Sequence, residues 1–300
     1  MTEYLPEIGK AMDYFLDNVI EPDDSFEVYT PVKPYRMKSH VFEINSKEKV
    51  KEQLRDILRR DIITGGSEYR NLLREIRTSL ANMNLQDYRL YLEQLQTLRE
   101  VDQKNMVAFA ENLKKQDGQK HAFLFYQQEV LPQLKPAVLI RAQMGAEASG
   151  DWQGVFDMMD LFDLFHRDVK FDVGAIQKAY SDASISVHFL FITKTRVTGS
   201  DITETNQSTE TNRRSDIIMV EKSEDIYSAF NEIARATGGI STTSANAASA
   251  FKTAVDASEN YYLIYYKPQD YKADGKFHEV KIKVKTGNFA VLHRAGYFAN

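Results

Sequence analysis

Two uninterrupted apolar runs constrain this chain more than any other feature. They are His121-Ala122-Phe123-Leu124-Phe125-Tyr126 and Ile185-Ser186-Val187-His188-Phe189-Leu190-Phe191-Ile192. Neither has a wet face, so both suit central strands covered on both sides. Amphipathic helical segments alternate with such strands up to about residue 240. That order predicts a parallel sheet with helices on both faces. The 300 residues allow one large domain or two small ones. No apolar run approaches the roughly 20 residues that would cross a bilayer.

Taken in order, the chain opens on a helix over 1–20. Ile8, Ala11, Met12, Phe15, Leu16, Val19 and Ile20 give it a broad apolar stripe that needs a sheet to cover. Phe26 to Thr30 reads as a strand, and Tyr35 to Ile44 could hold another. Asn45 or Ser46 caps a helix carrying Val50, Leu54, Ile57 and Leu58 on one face. Gly65-Gly66-Ser67 then breaks the pattern. Leu72, Leu73, Ile76 and Leu80 form the next stripe, and Asn84 to Asp87 reads as a fresh cap. A helical excursion follows to Asp117-Gly118. At about 30 residues it would span roughly 45 Å, so it must bend back or break. Helical insertions are expected near 82–116 and 131–170, the second with Trp152, Val155, Phe156, Met159, Phe162 and Phe165 as core. Residues 194–215 are polar and read as a loop.

Near the end, Ile226, Phe230, Ile233 and Ala234 share one helix face, with Ser223 as N-cap and Gly238-Gly239 closing it. Phe251, Ala254, Val255 and Ser258 make a second, weaker stripe. Val280, Ile282 and Val284 alternate with Lys281, Lys283 and Lys285, a strand with one dry face and one wet face. Thr286-Gly287-Asn288-Phe289 reads as a tight hairpin. The lysine row blunts an edge. These features divide the chain into an α/β domain over 1–240 and a helix plus antiparallel β extension over 241–300.

The tail carries a resemblance. Thr237-Gly238-Gly239, the helix running to Tyr261-Tyr262-Leu263-Ile264-Tyr265-Tyr266, then Asp274-Gly275-Lys276-Phe277-His278 and Arg294-Ala295-Gly296-Tyr297 occur in one order. That order resembles the end of bacterial von Willebrand factor A (vWA)-related proteins, closely over 226–298 and loosely over the whole chain. The resemblance implies a vWA-like, Rossmann-type sheet followed by a short β extension. It also implies a divalent cation, Mg²⁺, held at the C-terminal edge of the sheet by oxygen ligands from three loops. The first of those loops, Asp-x-Ser-x-Ser after a first strand, is not in this chain. Met1 stands where the Met that often follows that motif would, so the chain reads as N-terminally truncated. The second loop matches Gly65-Gly66-Ser67, where Ser67 could offer a hydroxyl ligand or could simply cap the next helix. The third falls on Gln127 and Gln128, with Glu129 as the nearest carboxylate. The metal candidates are therefore Ser67 and Glu129, and the expected partner-binding edge is Gly65, Gly66, Ser67, Gln127, Gln128 and Glu129.

Function follows on the same terms. A net charge of −5 argues against a general nucleic-acid binder. There is no cysteine, which excludes disulfides and thiolate metal sites. No nucleophile elbow, P-loop, Gly-x-Gly-x-x-Gly or His-Glu-x-x-His is present. Asp157, Asp160 and Asp163 with His166 read as a solvated helix face, and His188 as a packed core residue. Tyr261, Tyr262, Tyr265 and Tyr266 could offer a binding surface, though aromatics are ordinary strand residues. The resemblance implies a non-catalytic protein–protein interaction, adhesion or scaffolding module with an absent or degenerate metal site. Its implied setting is the bacterial envelope or the extracellular space, although Met1 to Glu7 lack the basic start of a signal peptide. The alternatives are a hydrolase using carboxylates in a cleft, or a purely structural subunit.

Overall fold

The second apolar run becomes the middle strand of the molecule. In the computed structural model, Ile185–Ile192 pairs in parallel with Lys120–Gln127 on one side and with Ser241–Ser244 on the other. We label these strands β5, β3 and β7. The structure describes residues 5–21, 24–30, 32–38, 46–150, 152–163, 170–193, 216–259, 262, 264, 266–267, 271–287 and 291–299, with only the backbone of 160–163. Side chains alternate across β5 as a strand requires. Ile185, Val187, Phe189 and Phe191 enter one core; Leu190 and Ile192 enter another.

Two layers of helices cover those faces. On the first lie α5 (Gln103–Lys114), α8 (Val173–Asp182) and α9 (Glu224–Thr237). On the second lie α1 (Leu5–Asn18) and α10 (Ala247–Glu259), meeting Phe123, Phe125, Leu190 and Ile192 through Ala11, Ala250 and Phe251. The stripe on the opening helix thus finds the sheet it needs. Residues 241–259 supply a parallel strand and a covering helix, so the α/β layers run on past residue 240. The antiparallel part of the tail is shorter than its alternation predicts. β8 (Phe277–Glu279) pairs with β9 (Gly296–Phe298), and beyond it the Val280 N–H donates to the Ala295 carbonyl at 2.8 Å. Val284 is exposed. Gly287 has the positive φ, +98°, that its turn calls for, while Asn288 and Phe289 lie outside the described residues.

A separate hairpin, β1 (Ser25–Tyr29) with β2 (Pro34–Lys38), follows α1. Its anchor is buried Asp61 on α2 (Lys47–Gly65), which accepts hydrogen bonds from the Thr30 and Tyr35 hydroxyls at 2.7 Å each. The Tyr35 hydrogen bond, then that of Thr30, holds the Asp61 carboxyl below the usual carboxylate range. Ser46 caps α2 by accepting the Lys49 N–H; Asn45 lies outside the described residues.

The helical excursion breaks as expected. α4 (Leu85–Leu98) is capped by Asn84, which accepts the Asp87 N–H, and α5 restarts at Asp102. With α3 (Ser67–Ala81), α4 forms a second core around Leu72, Ile76, Tyr88, Leu92 and Leu95. The segment expected to be helical from 131 begins instead as a strand. β4 (Val130–Leu134) pairs antiparallel with β6 (Ile217–Glu221) and closes that second core. Helices α6 (Pro136–Ser149) and α7 (Gln153–Asp163) follow. Of the core residues expected there, Val155 is buried, but Trp152, Phe156 and Met159 are exposed. Phe162 is described in backbone only, and Phe165, His166 and the 194–215 loop lie outside the described residues.

Candidate functional site

The C-terminal end of β3 is built around a carboxylate. The Gln128 N–H donates to the Ile192 carbonyl at 2.9 Å, and the chain then turns at Glu129 into β4. One Glu129 oxygen accepts the Tyr126 hydroxyl and the other meets the Arg99 guanidinium. The Glu129 N–H donates to Ser223 Oγ at 2.7 Å, and its carbonyl accepts the Lys222 N–H at 3.0 Å. Arg99 also donates to the Lys222 carbonyl at 3.3 Å. Ser223 does sit at the N-terminus of α9, but its side chain makes no capping bond there. Its hydroxyl serves the strand instead.

This network joins β3, β4, β6 and the α4–α5 break into one charge-compensated knot. Sequence reasoning found Glu129 but missed Arg99 and Ser223 as its partners. Tyr126 lies three residues from Glu129, a spacing that could have suggested their contact. Nothing local ties Arg99 to position 129.

The other predicted residues fall elsewhere in role. Gly65 ends α2, and Gly66 joins it to α3. The Ser67 hydroxyl donates to the Thr64 carbonyl at 2.7 Å, and Arg70 donates to the Ile63 carbonyl at 2.7 Å. The second loop is a helix–helix junction. Mg²⁺ needs several oxygen ligands in near-octahedral array. Both Glu129 oxygens are already engaged. No group of three or more His, Asp or Glu among the described residues is placed to hold a metal. The donor set brought together here does not fit Mg²⁺.

Gln127 differs from its neighbours. Its side-chain Oε1 is buried and has no hydrogen-bond partner among the described residues. It is the last residue of a strand whose outer edge pairs with no strand among the described residues. In a parallel pair, alternate residues direct both main-chain groups to the same neighbour. The Gln128 N–H faces β5, so the even-numbered residues of β3 do too. The N–H and C=O groups of His121, Phe123, Phe125 and Gln127 therefore point away from β5. Among the described residues no strand pairs with them. Burial reports the same asymmetry. β5 is buried at every position except Ser186, whereas no position of β3, even its apolar middle, is fully buried.

At the other end of these strands, the rings of His121 and His188 face each other with Nδ1 and Nε2 3.1 Å apart. The His188 ring stacks on Phe123 at 4.8 Å between centroids. Burial, reinforced by His121, pushes His188 down to about 4, and burial lowers His121 as well. His188 is the packed residue expected from the sequence. Its pairing with His121 was not foreseen.

No protein-family profile matches the chain, and neither does any curated protein or solved structure.

Proposed function

We propose that this chain is a non-catalytic protein–protein interaction module of the vWA type, acting through the sheet edge at β3 and without a metal ion of its own. One observation carries the reading: β3 is an eight-residue strand with an apolar middle, Ala122 to Tyr126, paired on one side only among the described residues. Natural proteins blunt such edges with charge, proline or a covering element, because an open ladder recruits another chain. The one lysine of β3, Lys120, stands at its start with its Nζ donating to the Ala183 carbonyl at 3.0 Å, and from Ala122 to Gln127 there is no charged residue and no proline. The adjoining carboxylate is neutralised by Arg99, so the edge meets a partner without a bare charge. By the resemblance, such a module would serve adhesion or scaffolding in a bacterial envelope or extracellular setting.

The test is selection of binders from a displayed library of random peptides, followed by Gln127→Pro. The Gln127 N–H points away from β5, so proline there removes an edge donor and leaves the pairing with β5 in place. Selected peptides should bind the native chain and lose binding to a folded Gln127→Pro variant. A library that yields no binder would overturn the reading.

A further inference from the structure

The chain holds two Asp-Gly pairs, Asp117-Gly118 and Asp274-Gly275. In such a pair the glycine nitrogen can attack Cγ of the aspartate, because no Cβ on the following residue hinders the approach. Exposure and backbone shape do not separate the two pairs. All four residues are exposed, both glycines have positive φ (+90° and +68°), and both have open space beside them. Hydrogen bonding separates them. The Gly275 N–H donates to the Ala299 carbonyl at 2.8 Å, which extends the β8–β9 ladder. Asp274 Oδ1 accepts the Lys276 N–H at 3.0 Å and lies 3.2 Å from His278 Nε2. These contacts, the Lys276 bond first, hold the Asp274 carboxyl below the usual carboxylate range. The other pair lies in the turn between α5 and β3 and belongs to no ladder. Among the described residues, neither the Gly118 N–H nor the Asp117 carboxyl has a hydrogen-bond or ion-pair partner.

We propose that Asp117 is a site of spontaneous backbone modification, passing through a succinimide with Gly118 to isoaspartate. The Gly118 nitrogen forms a bond to Cγ of the protonated Asp117 carboxyl. The C–OH bond breaks, and the hydroxyl leaves with the amide proton as water. A second water then opens the ring. Attack on the carbonyl that came from the main chain leaves the chain running through Cγ and the α-carboxylate as the side group. Composition and charge are unchanged, and only water takes part. At Asp117 the nucleophile is tied to no carbonyl and the carboxyl to no donor. At Asp274 the ladder and the turn must open before the ring can close, and each such opening costs free energy. The product carries one more main-chain atom between Lys114, which ends α5, and Lys120, which begins β3. The modification therefore acts on the strand entry that sets His121 against His188.

The test is ageing of the full chain at neutral pH and body temperature. Isoaspartate is then labelled with an isoaspartate carboxyl methyltransferase and radioactive S-adenosylmethionine, and the label is located by peptide mapping. In the folded chain Asp117 should accumulate isoaspartate at least about tenfold faster than Asp274, the factor by which opening the ladder slows the second site. In urea the two sites should age at similar rates, since each is then an Asp-Gly pair in an open chain. Asp117→Glu should remove the folded-state label at this position, because glutamate would have to close a larger ring. Label at Asp274 equal to or above that at Asp117 in the folded chain would overturn the proposal. So would a folded chain without label at Asp117 when the chain in urea acquires it.

Discussion

The guanidinium of Arg99 and the carboxylate of Glu129 form an ion pair almost wholly withdrawn from water, their side chains 5% and 11% exposed. Breaking such a pair strands a buried charge and costs about 3–5 kcal/mol. Arg99→Met should therefore destabilise the fold by that amount in urea unfolding. The double variant Arg99→Met, Glu129→Leu should recover part of the loss, because the stranded charge is gone. A double variant no better than the single would show that the pair does not hold the knot.

The His121–His188 contact predicts a pH response. The folded value of His188, about 4, lies below its ordinary 6.5, so protons favour the unfolded chain. Its contribution is complete above pH 6.5, falls as the pH drops from 6.5 towards 4, and is flat below. The span is worth about 3 kcal/mol. Carboxylates titrate near the lower end of this window, so the comparison must be with His188→Leu. That variant should lose about 3 kcal/mol less than the native chain between the two pH values. Equal losses would place the response elsewhere.

Two glycines should behave differently. A Cβ on Gly239 would lie 1.8 Å from the Val187 carbonyl oxygen, a main-chain atom that cannot step aside. Gly239→Ala should cost about 3 kcal/mol or more, since the sheet itself must shift. Gly150 ends α6 with φ +75° but has open space where a Cβ would go. Gly150→Ala should cost only about 1 kcal/mol of backbone strain. Thermal unfolding of the two variants checks the ranking.

A ligand that binds only the folded state raises its melting temperature. With both oxygens of Glu129 engaged, millimolar Mg²⁺ should leave the melting temperature of this chain unchanged. A rise with Mg²⁺ and not with added NaCl of equal ionic strength would reveal a cation site that the described donors do not account for.

The central layers were legible because both faces of β5 are dry, and a run of eight residues from Ile185 announces that directly. The Asn84 cap and the Gly238 helix end were legible because their chemistry is local. β4 was hidden by Pro132, which demotes a strand on inspection. Its partner among the described residues, β6, begins beyond the 194–215 segment. The ladder tolerates the proline because Pro132 faces Met219 in a non-hydrogen-bonded pair, where no N–H is needed towards β6. β7 was hidden by composition: Ser241-Thr242-Thr243-Ser244 is polar, and β5 recruits it. The Arg99–Glu129 knot could not be read, since it depends on where the α4–α5 break falls relative to the end of β3.

The parallel pairing of β3 with β5 also sets the order of folding. His121 and His188 are 67 residues apart, and Glu129 and Ser223 are 94 apart. Contacts of such long sequence separation form late, because the loop must close before the ladder contributes anything. The α3–α4 hairpin, by contrast, closes through neighbouring turns. A nascent chain would carry that helical pair early, while β3 waited for its partner β5 to emerge. During that interval the apolar stretch from Ala122 to Tyr126 is without the strand that covers one of its edges in the folded chain.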